Sequence, residues 1–186
     1  MTLVQSKPAA SRPWLKSYPP GIDWQTAFTP RPLYHLLDDA AARYDDKPCI
    51  DFLDRRWSFT EVKELSNRFA RGLLDLGLNP GDRVGLFLPN CPYFVIAYFG
   101  ILKAGGVVVN FNPLYADREI EHQILDSGAT IMVTMGLEGL VAKLRPQFER
   151  TPLHRIIVCS LPKALPLAKR LLAPFAMSKQ LAKTGK

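Results

Sequence analysis

The longest apolar stretch of the sequence covers residues 91–109, CPYFVIAYFGILKAGGVVV, and contains one charge, Lys103. Its length approaches the roughly 20 apolar residues that a membrane-spanning helix needs. However, residues 90–92 (NCP) are typical of a helix start, with Asn90 placed to cap it. Residues 105–106 (GG) are typical of a helix end, and the valines that follow favour a strand. Residues 83–88, RVGLFL, are apolar on both faces, like a buried parallel strand. The pattern predicts a strand–helix–strand crossover, with a transmembrane helix as the less favoured alternative.

Two amphipathic helices and a β-hairpin are predicted before this central unit. Residues 33–44 and 61–76 show helical spacing of apolar residues, and Thr60 is placed to cap the second helix. The apolar face predicted for the first helix consists of Leu33, Leu36, Leu37, Ala40 and Ala41. Between the helices, residues 50–53 and 57–59 flank a polar Asp-Arg-Arg turn, which predicts the hairpin.

Helices and strands continue to alternate after the central unit. Helices are predicted over residues 117–126 and 137–148, and strands over residues 130–134 and 155–159. Together with the central unit this makes four strands alternating with three helices. The expected fold is therefore α/β, with a mostly parallel, doubly wound sheet in the order βαβαβαβ.

Prolines and charges divide the chain into three predicted segments. Residues 1–32 are rich in proline and are expected to form an extended arm, and residues 33–160 are expected to form the α/β domain. Residues 161–186 are a basic, apolar tail or linker, and residues 151–186 hold seven basic residues and no acidic one. The net charge of +7 therefore arises at this end of the chain. A basic amphipathic segment can bind an anionic membrane surface, and an unstructured linker is the alternative.

Few side chains are candidates for catalysis or metal binding. The histidines occupy separate predicted elements and lack metal-ligand spacing; they are His35, His122 and His154. Cys91 adjoins a helix start, where a thiolate can be stabilised, but no base accompanies it. The three cysteines form no CxxC pair, which is typical of free thiols in a reducing cytoplasm. The phosphate-binding motifs GxGxxG and GxxxxGK and the nucleophile motif GxSxG are absent from the sequence.

The loop at residues 110–115, NFNPLY, carries the polar side chains that are best placed for a ligand. Ligands of parallel sheets bind outside the carboxyl ends of the strands, and this loop leaves such an end. Asn110, Asn112 and Tyr115 are therefore candidates for ligand contact. The favoured alternative is that they only shape a strand-to-helix loop. We assign no catalytic, cofactor-binding or metal-binding residue from the sequence.

Residues 87–134, FLPNCPYFVIAYFGILKAGGVVVNFNPLYADREIEHQILDSGATIMVT, resemble the adenylate-forming (AMP-binding) enzyme superfamily. The similarity is greatest to bacterial long-chain fatty-acid–CoA ligases. Residues 12–22 (RPWLKSYPPGI), 57–73 (WSFTEVKELSNRFARGL) and 78–90 (LNPGDRVGLFLPN) resemble the same enzymes, in the same order along the chain. The resemblance covers residues 12–160 and implies part of the N-terminal domain of such a ligase.

The resemblance implies a reaction for the full-length parent: a fatty acid is joined to AMP from ATP, pyrophosphate leaves, and the acyl group passes to CoA. ATP, Mg²⁺ and CoA are the implied cofactors, and the missing remainder of the ligase is the implied partner. The family's Ser/Thr/Gly-rich phosphate loop is expected beyond residue 186, so the resemblance implies no catalytic residue here and a chain that is inactive alone. The expected location is the cytoplasm, peripheral to the inner face of the membrane, without nucleic-acid binding. The alternative is a non-catalytic, free-standing α/β binding module.

Overall fold

The computed structural model describes residues 12–182, without the side chain of Pro174. The chain divides into two compact units, Met1–Arg31 and Pro32–Lys186. In the described part of the first unit, Pro13–Ser17 form a 3-10 helix. The rings of Tyr18 and Trp24 meet edge to face, with centroids 5.6 Å apart.

Helices and strands alternate through the second unit. Its helices are α1 (His35–Tyr44), α2 (Phe59–Asp75), α3 (Pro92–Lys103), α4 (Asp117–Ser127), α5 (Glu138–Leu144), α6 (Gln147–Arg150) and α7 (Leu167–Ala176). Its strands are β1 (Pro48–Phe52), β2 (Arg55–Ser58), β3 (Arg83–Phe87), β4 (Val107–Asn110), β5 (Ile131–Met135) and β6 (Arg155–Cys159). A 3-10 helix, Leu161–Ala164, precedes α7. Among the described residues, no helix is long and apolar enough to cross a membrane.

Four parallel strands form the main sheet, in the order β4-β3-β5-β6. The chain leaves β3 toward β4 on one side and then returns past β3 to place β5 on the other side. This reversal makes a topological switch point between β3 and β5, the position at which open α/β sheets bind ligands. The predicted fold class, α/β with a parallel, doubly wound sheet, is confirmed.

Apolar side chains cover both faces of this sheet, because neighbouring strand residues point to opposite faces. Leu86 packs with the core beneath α2 and α3, whereas Phe87 packs with the core beneath α4. The first core includes Leu73, Val84, Ala97, Ile101, Val133 and Met135. The second includes Phe111, Ile120, Ile124, Met132, Leu144 and Leu153. The strands are thus buried on both sides, as their continuous apolar runs predict.

The helices α2 and α3 approach each other closely at Gly100. A Cβ atom at Gly100 would lie 2.7 Å from Cδ1 of Phe69 and 3.0 Å from the carbonyl oxygen of Ser66. At the end of α3, the Lys103 ammonium donates to the Asn67 amide oxygen at 2.7 Å and also bonds the Asp38 carboxylate. Lys103 therefore connects α3 to both α2 and α1.

The predicted hairpin is present as β1 and β2, which pair antiparallel. Leu53 and Asp54 form its turn with φ values of 52° and 70°. Two consecutive residues with positive φ are what a two-residue type I′ turn requires, and this turn matches the twist of the strands.

The start of α2 differs from the prediction, because Ser58 and not Thr60 is the N-cap. The Ser58 hydroxyl accepts from the Glu61 amide at 3.1 Å, and the Glu61 carboxylate accepts from the Ser58 amide at 2.8 Å. This reciprocal pair is a capping box, and its Ser-x-x-Glu signature stands in the sequence. The Thr60 hydroxyl instead donates to the Asp45 carboxylate at 2.8 Å.

The buried face of α1 also differs from the prediction. The helix buries Leu37 and Ala41, whereas Leu33 and Leu36 are 46% and 54% exposed. Because α1 begins at His35, Leu33 lies before the helix and does not share its face.

Two further helix boundaries are corrections. Cys91, not Asn90, is the N-cap of α3, and its side chain makes no capping hydrogen bond. The single helix predicted over residues 137–148 is two helices, α5 and α6. Pro146 separates them because proline lacks the N–H that would continue the hydrogen-bond ladder.

Residues 161–182 continue from β6 and contact the sheet unit at several points. Leu161, Ala164, Leu165 and Ala173 are buried, whereas Leu167, Leu171, Leu172 and Phe175 are exposed. Leu181 forms an antiparallel bridge with Leu137. The boundaries proposed at residues 32 and 160 between arm, domain and tail stay predictions.

Candidate functional site

The carboxyl ends of β3 and β5 lie side by side at the switch point and are linked by a side-chain hydrogen bond. The Thr134 hydroxyl is fully buried and donates to the Phe87 carbonyl oxygen at 3.0 Å. This bond holds the two strand ends in register across the position where a ligand would bind. Thr134 was missed by sequence reasoning, because one threonine in a strand carries no signal of a cross-strand bond.

Cys91 follows β3 at this edge, at the start of α3. Burial raises the pKa of the Cys91 thiol, and backbone hydrogen bonds from Phe94 and Tyr93 offset only part of the increase. The thiol is therefore held in its neutral form, and the helix start does not produce a reactive thiolate. The interpretation of Cys91 as a packing residue is the one that the structure favours.

The loop NFNPLY uses its polar groups for its own conformation. The Asn112 side-chain oxygen accepts from the Leu114 amide at 3.0 Å, and the Asn112 carbonyl accepts from the Tyr115 amide at 3.0 Å. The ammonium of Lys143, on α5, donates to the carbonyl oxygens of Tyr115 at 2.7 Å and Pro113 at 3.3 Å. Asn112 and Tyr115 thus belong to a loop that is held against α5 by the hydrogen bonds of Lys143. The role of Lys143 is set by tertiary packing and has no local signal in the sequence.

Asn110 ends β4, the strand at one edge of the sheet. Its carbonyl oxygen accepts from the Gln123 side-chain amide at 2.9 Å. The structure gives no ligand-directed role to the Asn110 side chain.

The loop that begins at Gly136, at the end of β5, is closed by other parts of the chain. The Gly136 amide donates to the Cys159 carbonyl at 2.8 Å, and the Glu138 amide donates to the Gln180 carbonyl at 2.8 Å. The Gly136 carbonyl accepts from the Ala182 amide at 3.1 Å. A phosphate site needs backbone N–H groups that are free to donate. The Gly136 and Glu138 amides already donate within the chain and are therefore not free to bind a phosphate.

The three histidines are not brought together. His35 is in α1, next to the ring of Tyr34, His122 is in α4, and His154 precedes β6. Across residues 12–182, no group of three His, Cys, Asp or Glu residues is arranged to hold a metal ion. The assignment of no catalytic, cofactor-binding or metal-binding residue stays a prediction.

A cleft of about 570 Å³ lies between the hairpin, α2, α3 and β6. Its lining is mostly apolar and includes Trp57, Phe69, Ile96 and Ile157. Its lining also includes four cationic side chains: Arg55, Arg68, Lys163 and Arg170. We call this feature the cationic cleft. Its cations come from elements that are far apart in sequence, so no local sequence motif predicts the cleft.

Two ionisable groups in the lining of the cationic cleft are kept neutral by burial. Desolvation raises the pKa of the Tyr93 hydroxyl to about 12, and it raises the pKa of the Cys159 thiol to about 12. The Tyr93 hydroxyl donates to the Ser160 carbonyl at 2.8 Å. Neither group therefore supplies a negative charge to the cleft near neutral pH.

Comparison with known proteins relates this chain to AMP-binding enzymes. Residues 37–179 match the family of AMP-binding enzymes. A long-chain-fatty-acid–CoA ligase of Bacillus subtilis is 34% identical over 172 residues, which is 92% of this chain and 30% of the ligase. A long-chain-fatty-acid–CoA ligase of Escherichia coli O157:H7 is 36% identical over 168 residues, 88% of this chain and 29% of that ligase. The chain thus spans about 30% of the length of these relatives.

Solved structures show the same fold in larger proteins. The crystal structure of a long-chain-fatty-acid–CoA ligase from Archaeoglobus fulgidus superposes with a TM-score of 0.66 at 25% identity. The match covers 77% of this chain and 31% of that one. A benzoate–CoA ligase from Burkholderia xenovorans gives a TM-score of 0.63 at 25% identity, over 82% of this chain and 30% of the ligase.

Proposed function

Because the chain belongs to the family of AMP-binding enzymes, we propose that it is the N-terminal part of an ATP-dependent long-chain fatty-acid–CoA ligase. The main support for this proposal is the sequence identity of 34–36% with two such ligases over about nine tenths of this chain. The whole protein would join a fatty acid to AMP, release pyrophosphate and transfer the acyl group to CoA, with Mg²⁺ accompanying ATP. The remainder of the ligase is the proposed partner.

The direct test of this proposal is the DNA that follows codon 186. We expect a continuing reading frame that encodes a Ser/Thr/Gly-rich phosphate loop ending in lysine. A stop codon, with no such frame nearby, would contradict the ligase proposal.

We further propose that residues 1–186 have no ligase activity alone. The described carboxyl edge of the sheet supports this. The Gly136 amide, the Asn112 side-chain oxygen and the Tyr115 carbonyl all form hydrogen bonds within the chain and are not directed at a ligand. The assay is acyl-CoA formation from palmitate, ATP, Mg²⁺ and CoA, with protein made in a host that lacks its own ligase. A full-length bacterial ligase is the positive control. Turnover well above that of boiled protein would refute this part of the proposal.

A non-catalytic, free-standing binding module is the second candidate. The observation that favours it is the bridge between Leu137 and Leu181, because the chain itself covers the end of β5. The two candidate functions predict different behaviour of the isolated chain, because they differ in whether the edges of the sheet are left uncovered. A piece of a ligase leaves the edges of β4 and β6 for the rest of the protein and should self-associate or bind a hydrophobic dye. A monodisperse monomer with a sharp melt and no dye binding would favour the module.

We also propose that the protein is cytoplasmic and binds the inner face of the membrane through α7. The exposed side of α7 carries Leu167, Leu171, Leu172 and Phe175, each at least 66% exposed. Arg170 lies on the same helix, as does Lys169, which forms an ion pair with Asp54, and basic residues near an anionic surface contribute about 1 kcal/mol each. Apolar side chains that insert beside such cations make an interfacial helix.

Vesicle co-sedimentation tests this membrane proposal. We expect binding to vesicles that contain phosphatidylserine, weakened by salt, and lost in the double variant Leu171→Gln/Phe175→Gln. The matched control is Leu114→Gln/Leu125→Gln, which changes two exposed apolar side chains away from α7. Equal loss in both variants, or binding that is indifferent to salt and to lipid charge, would show that α7 is not the anchor.

A further inference from the structure

The tip of the β-hairpin holds the segment that contains α7 through two consecutive residues. The Lys169 ammonium, on α7, donates to the Asp54 carboxylate and forms an ion pair with it. The Arg55 guanidinium donates from Nη1 to the carbonyl oxygen of Lys163, in the 3-10 helix that precedes α7. We call these two contacts the hairpin latch.

The turn of the hairpin places Asp54 where it can make this contact. Leu53 and Asp54 have φ values of 52° and 70°, in the left-handed region that a bulky side chain such as leucine rarely adopts. Leu53 gains little burial in this conformation, because it is 52% exposed. Unfavourable backbone conformations of this kind are commoner in binding and switch regions than elsewhere. The conformation of the tip therefore directs attention to what Asp54 binds.

The two sides of α7 carry different side chains. Leu167, Leu171 and Phe175 follow one another at intervals of four residues and are 66–84% exposed, so they form an apolar stripe on the outer side. Ala173, which is 3% exposed, marks the inner side. Lys169 and Arg170 lie four and three residues before Ala173 and thus share its side of the helix. The cations of α7 therefore face the hairpin and the cationic cleft, away from the apolar stripe.

This arrangement determines the order in which a membrane would meet α7. The apolar stripe comes first, and an anionic lipid can bind Lys169 only after the ammonium has left the Asp54 carboxylate. The exchange is easy, because the Lys169 and Asp54 side chains are 54% and 80% exposed. Exposed ion pairs are weak and are screened by salt. The hydrogen bond and the charge of Lys169 lower the pKa of Asp54, so its carboxylate stays ionised at neutral pH.

We propose that the hairpin latch and an anionic lipid surface compete for Lys169. In the absence of lipid, the closed latch holds α7 against the hairpin. Anionic head groups replace Asp54 as the partner of Lys169, which frees α7 to turn its cations toward the lipid. The competition rests on the proposed membrane binding of α7, whereas the closed latch rests on the contacts of the hairpin alone.

Hydrogen–deuterium exchange of the whole chain without lipid tests the closed latch. Asp54→Asn removes the charge and keeps the turn, because asparagine also adopts positive φ. We expect the amides of α7 to exchange about two- to fivefold faster, which corresponds to the loss of one exposed ion pair. The matched control is Asp51→Asn, which removes an equal charge and breaks the pair with Arg56 in the same hairpin. Exchange of α7 that is unchanged in Asp54→Asn, or raised equally in the control, would overturn the latch whether or not the chain binds vesicles.

Co-sedimentation with phosphatidylcholine vesicles, with and without phosphatidylserine, tests the competition. Asp54→Asn and Lys169→Gln both open the latch and should speed exchange of α7 alike, but only Asp54→Asn keeps the cation that lipid would bind. We expect Asp54→Asn to bind phosphatidylserine vesicles about two- to fivefold more tightly than the wild type and Asp51→Asn. Lys169→Gln should bind no more tightly than the wild type.

The vesicle outcomes separate the competition from the membrane function on which it rests. Equal tightening in Asp54→Asn and Asp51→Asn would overturn the competition, because net charge alone would explain it. Tighter binding of Lys169→Gln than of the wild type would also overturn it, because lipid would then not need Lys169. Faster exchange of α7 in Asp54→Asn, with no binding of any variant to phosphatidylserine vesicles, would refute the membrane function and the competition together.

Discussion

Replacing Gly100 with alanine tests how tightly α2 and α3 pack. Gly100 lies inside α3, and an added Cβ would meet Phe69 at 2.7 Å and the backbone oxygen of Ser66 at 3.0 Å. Gly72 lies inside α2, and a Cβ there would have nothing within 4 Å. The two substitutions are chemically the same and differ only in the space around the new methyl group.

The two variants should therefore shift stability in opposite directions. Alanine in place of a helical glycine stabilises by about 0.5–1 kcal/mol, and this is the whole effect expected of Gly72→Ala. Overpacking costs about 1–3 kcal/mol, with the upper part expected for Gly100→Ala because Ser66 O is backbone and cannot rotate away. After the propensity gain is subtracted, Gly100→Ala should destabilise by about 1–2 kcal/mol.

Urea unfolding followed by far-UV circular dichroism measures both changes, if the slope against urea is the same in all three proteins. We expect the midpoint to fall for Gly100→Ala and to rise for Gly72→Ala. A Gly100→Ala protein as stable as Gly72→Ala would refute the close approach of the two helices.

Three other changes test individual contacts. Ser58→Ala removes the capping box of α2 and should cost about 1 kcal/mol in the same urea assay, whereas Ser58→Thr should restore most of it; equal loss in both would refute the cap. Lys103→Met leaves the partly buried Asp38 carboxylate unpaired and should cost about 1–3 kcal/mol, against less than about 0.5 kcal/mol for the exposed Arg71→Met; similar costs would contradict the burial of Lys103. Burial raises the pKa of Cys159 to about 12, so its thiolate fraction at pH 8 is about a thousandfold below that of an ordinary thiol. Its alkylation by iodoacetamide should be slow in the native chain, fast in urea, and faster with rising pH; rapid native labelling at pH 8 would contradict the raised pKa of this half-buried thiol.

The architecture of the sheet could be predicted because its signals are local. Residues 83–88 and 91–109 carry the apolar runs of a buried strand and a buried helix, and glycine and proline punctuate them. Such patterns depend on a few neighbouring residues, and the α/β fold follows from their alternation. The capping box of α2 also has a local signal, the Ser-x-x-Glu sequence at residues 58–61. Thr60 is a second possible N-cap in the same segment, and the sequence alone did not distinguish it from Ser58.

The contacts that shape the candidate site could not be predicted in this way. The Lys143 bonds to the NFNPLY loop and the bridge of Leu181 to Leu137 join segments that are distant in sequence. The cationic cleft likewise draws Arg55 from a hairpin and Arg170 from α7. The residues next to each of these side chains in the sequence give no signal of its partner. The partner is fixed only by the tertiary packing of the elements.

The crossing of the chain at the switch point has a consequence for the order of folding during synthesis. β4 can pair with β3 once Asn110 has left the ribosome, but the other edge of β3 must wait for β5, which ends at Met135. At about 5–20 residues per second, the ribosome needs roughly 1–5 s to make the residues between these two points. During that interval the nascent chain carries a half-paired sheet and the apolar helix α3. A chaperone that binds nascent chains would therefore have a defined window in which to act.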